Sequence, residues 1–265
     1  MIKEKLYVIK IGGNVIDSPK ALDRFLYDFA AIKGKKMLVH GGGKIATEIG
    51  KKLGIETRMV EGRRITDAAT IDLVTMTYAG LINKKIVAAL QAKNCNAIGF
   101  SGADGNLIEA VKRPVQSIDY GFVGDIADES VNSGLVDSLL GQDIMPVVCP
   151  ITHDRKGNLL NTNADTIAAV LALAMSKKFE TRLFYCFEKN GVLLNINDDS
   201  SFIPELKQDQ YEEMKGKKQI YEGMIPKLDN AFQTVSKGVH SVYICNAFHL
   251  SSIVNNAQPI GTRIS

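Results

Sequence analysis

The chain is poor in the residues that mark several large protein classes. Its 265 residues include only four cysteines, and no two of them form a C-x-x-C pair. Cys95, Cys149, Cys186 and Cys245 are far apart in sequence, which excludes a small disulfide scaffold and a zinc ribbon. Three of them fall in or beside apolar β-like runs, the usual setting of buried reduced thiols. The four histidines, His40, His153, His240 and His249, form no H-x-x-x-H pair, so the residues point to no protein-built metal site. The longest apolar run, near Thr166–Met175, is about half of what a bilayer span needs. Residues Met1–Lys5 lack the apolar stretch and small-residue cleavage site of a signal peptide. The expectation is a cytoplasmic protein with no membrane partner. Charge is nearly balanced, with 32 basic and 29 acidic residues and a net charge of +3. The lysine pairs are scattered, whereas a nucleic-acid footprint needs clustering, so no nucleic-acid partner is expected. With 45% hydrophobic residues, 23 Gly and 7 Pro, disorder, collagen and coiled coil are excluded.

What is present is an alternation of strand-like and helix-like segments. Lys5–Ile11 (KLYVIKI) is apolar and β-branched, and it ends in Gly12-Gly13-Asn14. Ser18-Pro19 then opens a helix to about Lys33, since a cap residue followed by proline is a helix-start signal. Met37–His40 is a second strand, ending in Gly41-Gly42-Gly43 before a helix over Lys44–Leu53. Thr66-Asp67 starts a long helical stretch to about Lys93. Strands follow at Ala97–Ser101 and Ile144–Cys149, with a hairpin suggested by Leu107–Val111 and Phe122–Ile126. A polar turn at His153–Asn158 and Asn161-Thr162-Asn163-Ala164-Asp165 lead into a helix over Thr166–Met175. The pattern repeats with a strand at Leu183–Phe187, a helix at Pro226–Lys237 and a strand at Ser241–Cys245. Such alternation specifies an α/β protein with a mainly parallel sheet covered on both faces. The boundary between the two parts is set near Lys177-Lys178.

The chemistry is expected where strands end in glycine-rich turns. Ligands of open α/β sheets bind beyond the carboxyl ends of the strands, and a glycine turn feeding a helix presents backbone N–H groups to an anion. Gly12-Gly13 and Gly41-Gly42-Gly43 both have that form and suggest two anionic groups brought together. Gly41-Gly42-Gly43-Lys44-Ile45-Ala46 also satisfies G-x-G-x-x-A, with Glu61 about where a ribose-binding acid belongs, so a dinucleotide oxidoreductase is an alternative. Against it, a complete strand–helix unit precedes the motif. Lys10 lies in a buried strand just before the first turn, which is costly unless its ammonium is paired or directed to the strand's carboxyl end. Arg64, ahead of a helix start, is placed to clamp a carboxylate. Asn161, Asn163 and Asp165 read as a turn and a cap on local grounds alone. Lys227 stands in the first turn of a helix, where the dipole disfavours a cation unless an anion is present.

Five motifs taken together resemble the amino-acid kinase family. They are Lys10-Ile11-Gly12-Gly13-Asn14, His40-Gly41-Gly42-Gly43, Gly62-Arg63-Arg64-Ile65-Thr66, Asn161-Thr162-Asn163-Ala164-Asp165 and Gly223-Met224-Ile225-Pro226-Lys227. The similarity runs from the first strand to Gly261-Thr262-Arg263-Ile264. Within the family it points to the branch that phosphorylates the γ-carboxylate of an N-acylated glutamate in arginine biosynthesis. The resemblance implies a three-layer α/β/α sandwich, with residues 1–178 binding the acyl-glutamate and forming a dimer interface, and 179–265 binding ATP. Lys10 and Lys227 would stabilise the transferring phosphoryl group, and Asp165 would hold both ammonium groups. Backbone N–H groups of Gly12, Gly13 and Gly42 would meet phosphates. Gly41, Gly42, Gly43, Arg64, Asn161 and Asn163 would surround the acceptor. Glu188, Lys189, Gly191, Tyr221 and Met224 would line the nucleotide site, with Mg²⁺ held by the ATP phosphates.

This sequence departs from the family in two places: Glu188 stands where Asp is usual, and Glu222 where Gly or Asp is usual. A γ-carboxylate is already ionised at neutral pH, so no general base is required. A non-catalytic sensor on the same fold is the other alternative, and retention of both lysines and Asp165 argues against it. The acyl group, acetyl or a larger one such as succinyl, is left open. In this family arginine sensitivity goes with an added N-terminal helix that joins dimers into hexamers. Only Met1–Glu4 precede the first strand, so the expectation is a homodimer indifferent to arginine.

Overall fold

The structure, a computed structural model, describes residues 3–220, 222–255 and 260–265. Strand β1 (Lys5–Ile11) is followed by a short helix α1 (Asn14–Asp17) and by α2 (Pro19–Ala31). Ser18 Oγ accepts from the Ala21 N–H, which makes it the cap that the Ser-Pro pair predicts. Next come β2 (Lys35–His40), α3 (Gly43–Lys52) and a hairpin of β3 (Met59–Val60) and β4 (Arg63–Arg64). The long helical stretch is compound. Helix α4 (Ala68–Thr75), capped by Asp67, passes through a π-helical segment, Met76–Ile82, into α5 (Asn83–Gln91).

The middle of the chain holds β5 (Ala97–Phe100), a ribbon of β6 (Val111–Lys112) and β7 (Gly124–Asp125), α6 (Ser133–Gly141) and β8 (Met145–Val148). The hairpin β9 (Ile151–His153) and β10 (Leu159–Asn161) leads into α7 (Ala164–Ser176). The last third contains β11 (Glu180–Phe187), β12 (Glu205–Leu206), α8 (Gln208–Gly216), α9 (Ile225–Ser236), β13 (Ser241–Asn246), α10 (Leu250–Val254) and β14 (Thr262–Ile264).

Eight strands form one sheet in the order β12-β14-β13-β11-β1-β2-β8-β5. The strands from β13 to β5 are parallel, and β14 runs antiparallel to β13. Two apolar layers sandwich the sheet, as the three-layer reading requires. Side chains alternate along a strand, so Leu6 and Val8 of β1 enter one layer, with α7 and α9, while Tyr7, Ile9 and Ile11 enter the other, with α2 and α5. By the same parity Lys10 belongs to the α7 face. Parity also puts His40 on the α5 face, where its ring meets Asn83.

The stretch Ala68–Gln91 is by length and composition apolar enough to cross a membrane. In the fold Ile71, Val74, Tyr78, Ile82, Ile86 and Leu90 make one buried face of it on the second core layer. The four cysteines are buried and unbridged. Two that are 59 residues apart, Cys186 and Cys245, are register partners on β11 and β13, with sulfurs 3.7 Å apart.

Candidate active site

Lys10, Asp165 and Lys227 meet at the carboxyl edge of the sheet. Asp165 stands in the first turn of α7, where the helix dipole favours an anion. Its Oδ1 lies 2.7 Å from Lys10 Nζ, and its Oδ2 lies 3.2 Å from Lys227 Nζ. The Lys10 contact is an ion pair rather than a well-aligned hydrogen bond, since Oδ1 has no hydrogen-bond partner by geometry. Burial pushes the Asp165 carboxyl up, but the Lys10 and then the Lys227 ammonium outweigh it and hold it down at about 2. The carboxylate is therefore charged and fixes two cations side by side. A Cβ at position 12 would stand 2.9 Å from Lys10 Nζ and would press on the ammonium that Asp165 holds.

A second tie supports this group. Tyr185 is the register partner of Lys10 on β11. Its hydroxyl donates to the Asp165 carbonyl at 3.2 Å and accepts from Asn230 Nδ2 of α9 at 3.1 Å. One phenol thus joins the two helices that carry Asp165 and Lys227.

The glycine turn after β2 is held from both sides. Gly42 has φ = 151°, and a Cβ there would come within 2.3 Å of Ile82 Cδ1 on the π-helical segment. His40 is fully buried, and burial holds its imidazole down at about 4 despite the bond to the Gly41 carbonyl. Neutral, it donates from Nδ1 to that carbonyl at 2.8 Å and accepts from Asn83 Nδ2 at 3.1 Å. Arg64 fastens the start of α3, donating to the Gly43 carbonyl, Thr47 Oγ1 and Thr57 Oγ1 at 2.8 to 2.9 Å. Three of its five N–H donors are thereby engaged and two remain. Asn161 donates from Nδ2 to Thr66 Oγ1, leaving its carbonyl oxygen open. Asn163 caps α7 by accepting from the Asp165 and Thr166 N–H groups, so only its NH₂ is left for a ligand.

A cleft of about 910 Å³ is lined by Gly41, Gly42, Gly43, Arg64, Asn161, Asn163, Asp165 and Lys227, together with Tyr78. All six acceptor-side residues expected from the sequence therefore share one cavity. The nucleotide-side residues that the structure describes do not line it. Glu188 Oε1 accepts from the Asn14 N–H at 3.2 Å, so its carboxylate sits at the Gly13 turn. Lys189 is paired with Asp199 at 2.9 Å. Gly191 is packed against Thr262, whose Oγ1 would be 2.5 Å from a Cβ there. Met224 precedes α9 and packs on the core layer beside it. Tyr221 falls outside the described residues. Glu61 occupies the β3–β4 turn rather than the end of a sheet strand, which removes the ribose-binding partner of the dinucleotide alternative. Sequence reasoning missed Tyr185, Asn230, Tyr78, Thr47 and Thr57. Asn230 alone carried a signal, lying three residues after Lys227 on one helix face.

A model of the amino acid kinase family matches residues 5–246. An acetylglutamate kinase of Cytophaga hutchinsonii is 54% identical over 262 residues, spanning 98% of each chain. One of Bacteroides thetaiotaomicron is 52% identical over 263 residues, spanning 99% of each. Among solved structures, an N-acetylglutamate synthase from Neisseria gonorrhoeae, complexed with coenzyme A and N-acetyl-glutamate, matches with a TM-score of 0.82. It is 18% identical, over 100% of this chain and 60% of that one, a likeness of fold.

Proposed function

The chain belongs to the amino acid kinase family, and from that premise we propose that it transfers the γ-phosphoryl group of ATP to an N-acyl-L-glutamate. The acceptor atom is the γ-carboxylate of N-acetyl-L-glutamate or a close N-acyl analogue, giving the acyl-glutamyl 5-phosphate of arginine biosynthesis. The observation that carries this reading is the Lys10–Asp165–Lys227 group at the edge of a cleft lined by Arg64 and Asn161.

Joining a carboxylate to a triphosphate brings anions together through a loose transition state, which asks for cations and positioning. Lys10 and Lys227 supply the cations, and Asp165 spaces them. Arg64, which lines the cleft, meets the α-carboxylate with a donor left free, and the open Asn161 carbonyl accepts the acyl amide N–H. Gly12, Gly13 and Gly42 turn backbone N–H groups to the phosphates. Mg²⁺ bound to the nucleotide phosphates would neutralise part of their charge. Residues 1–178 hold the acceptor in this scheme and 179–265 the nucleotide. ATP use and four unbridged thiols suit the cytoplasm.

An ATP-dependent hydroxamate assay with N-acetyl-L-glutamate tests the reading, and absence of product overturns it. In the same assay Arg64→Ala raises KM for the acceptor tenfold or more and leaves that for ATP within about twofold. Equal effects on both substrates would remove Arg64 from the acceptor site.

Met76 and Leu81 of the π-helical segment and Ile98 of the edge strand β5 are exposed apolar side chains. We propose that these side chains belong to the interface of a homodimer, where burial would remove their apolar surface from water. Light scattering at twice the chain mass is expected, and Met76→Lys with Leu81→Lys should shift it to the monomer.

A further inference from the structure

The cleft does not stop at Arg64 and Asn161. It continues to Arg63, Arg113 and Asp125, which also line an adjoining cavity of about 290 Å³. Arg113 is the unusual residue there. Its Nε and Nη2 hold the Asp125 carboxylate, its guanidinium lies over the Tyr120 ring, and its side chain is only 18% exposed. Its Nη1 is buried with no hydrogen-bond partner. An unsatisfied donor on a charged group is destabilising, and because Arg113 lines the cleft a small turn of its guanidinium would give Nη1 an acceptor there. Arg63 beside it is exposed and makes no side-chain hydrogen bond or ion pair among the described residues. Asp125 offsets one of the two charges. Glu61, at the outer cavity, takes the Tyr120 hydroxyl at 3.4 Å.

The backbone sets the distance. Asn161 N donates to the Phe122 carbonyl and Arg113 N donates to the Val123 carbonyl, each at 2.8 Å. Arg113 therefore lies two strand spacings from Asn161, about 10 Å along the floor of the cleft. An acetyl group on an amide held at Asn161 ends near that residue. A four-carbon acyl group that ends in a carboxylate points a second anion toward Arg113 and Arg63.

Resting on the acyl-glutamate reading above, we propose that the acyl group of the preferred substrate is dicarboxylic, of the succinyl type, and that Arg113 and Arg63 bind its terminal carboxylate. Arginine suits this task because its planar fork matches a carboxylate with two parallel bonds. The pair is then a specificity determinant and takes no part in phosphoryl transfer.

The test measures kcat/KM for N-acetyl-, N-butyryl- and N-succinyl-L-glutamate. The butyryl group has the four carbons without the carboxylate, which separates length from charge. The native enzyme is expected to favour succinyl over butyryl by tenfold or more, equivalent to about 1.4 kcal/mol. That ratio is expected to fall at least fivefold in Arg113→Gln and in Arg63→Gln. Arg63 is exposed, so its variant keeps the test open should Arg113→Gln fail to fold. No preference for succinyl in the native enzyme, or a ratio untouched by Arg63→Gln, overturns the subsite. Failure to phosphorylate any of the three acceptors overturns instead the acyl-glutamate reading on which it rests.

Discussion

Lys227→Ala, and separately Lys10→Ala, should lower kcat by about 10²–10³, the usual loss when one donor to developing transition-state charge is removed. The lysines reach Asp165 from different elements, one from β1 and one from the first turn of α9. On the proposed mechanism each would address the transferring group from its own direction, so that neither would substitute for the other. Lys227 is 34% exposed at its side chain, so its removal leaves the core intact and the loss is read as chemistry. Lys10 is 13% exposed and sits on a central strand, so its variant is checked by far-UV circular dichroism before kinetics. A fall in kcat that exceeds the change in either KM is the pattern of an interaction made in the transition state. Near-normal turnover in either variant would take that lysine out of the mechanism.

Asp165→Asn should cost a similar factor in kcat, because the two ammonium groups lose the charge that spaces them. It also has a signature in stability. In the folded protein burial raises the Asp165 carboxyl, the two lysines pull it down further, and it rests at about 2 against an ordinary value of 3.8. A lowered carboxyl stabilises the fold at pH values above the unfolded value and loses that contribution as pH falls toward the folded one. The window is therefore about pH 4 down to pH 2, and the contribution is of order 2 kcal/mol. Urea midpoints of the native protein should fall across that window by more than those of Asp165→Asn. Parallel curves for the two proteins would mean that Asp165 is not held as a charged group.

Much of this was legible because the relevant signals are local. The bounds of β1 follow from an unbroken apolar run closed by two glycines, and the cap of α2 follows from Ser18-Pro19. The side of the sheet on which Lys10 lies follows from strand parity alone. What stayed hidden depends on distance along the chain. Tyr185 reads as one more apolar residue in a buried strand, and only the register with Lys10 reveals its hydroxyl as a tie between α7 and α9. The partners of Arg64 include Thr47 and Thr57, which carry no motif. The π-helical segment has the same apolar pattern as the helices flanking it, so periodicity does not mark it. Helix α6 was missed although Asn132 caps it, because two glycines in nine residues weaken its helical signal.

The strand that bears Lys10 is bonded along both edges, at seven positions to β11 and at six to β2. One continuous sheet thus runs through both parts of the chain, residues 1–178 and 179–265. The same continuity bears on proteolysis and on expression of fragments. A piece ending at Lys178 would leave one side of β1 without its neighbour, a row of open amides and carbonyls on a flat apolar strand. Such an edge is a template for another chain, so the fragment is expected to aggregate rather than fold as an independent acceptor-binding module.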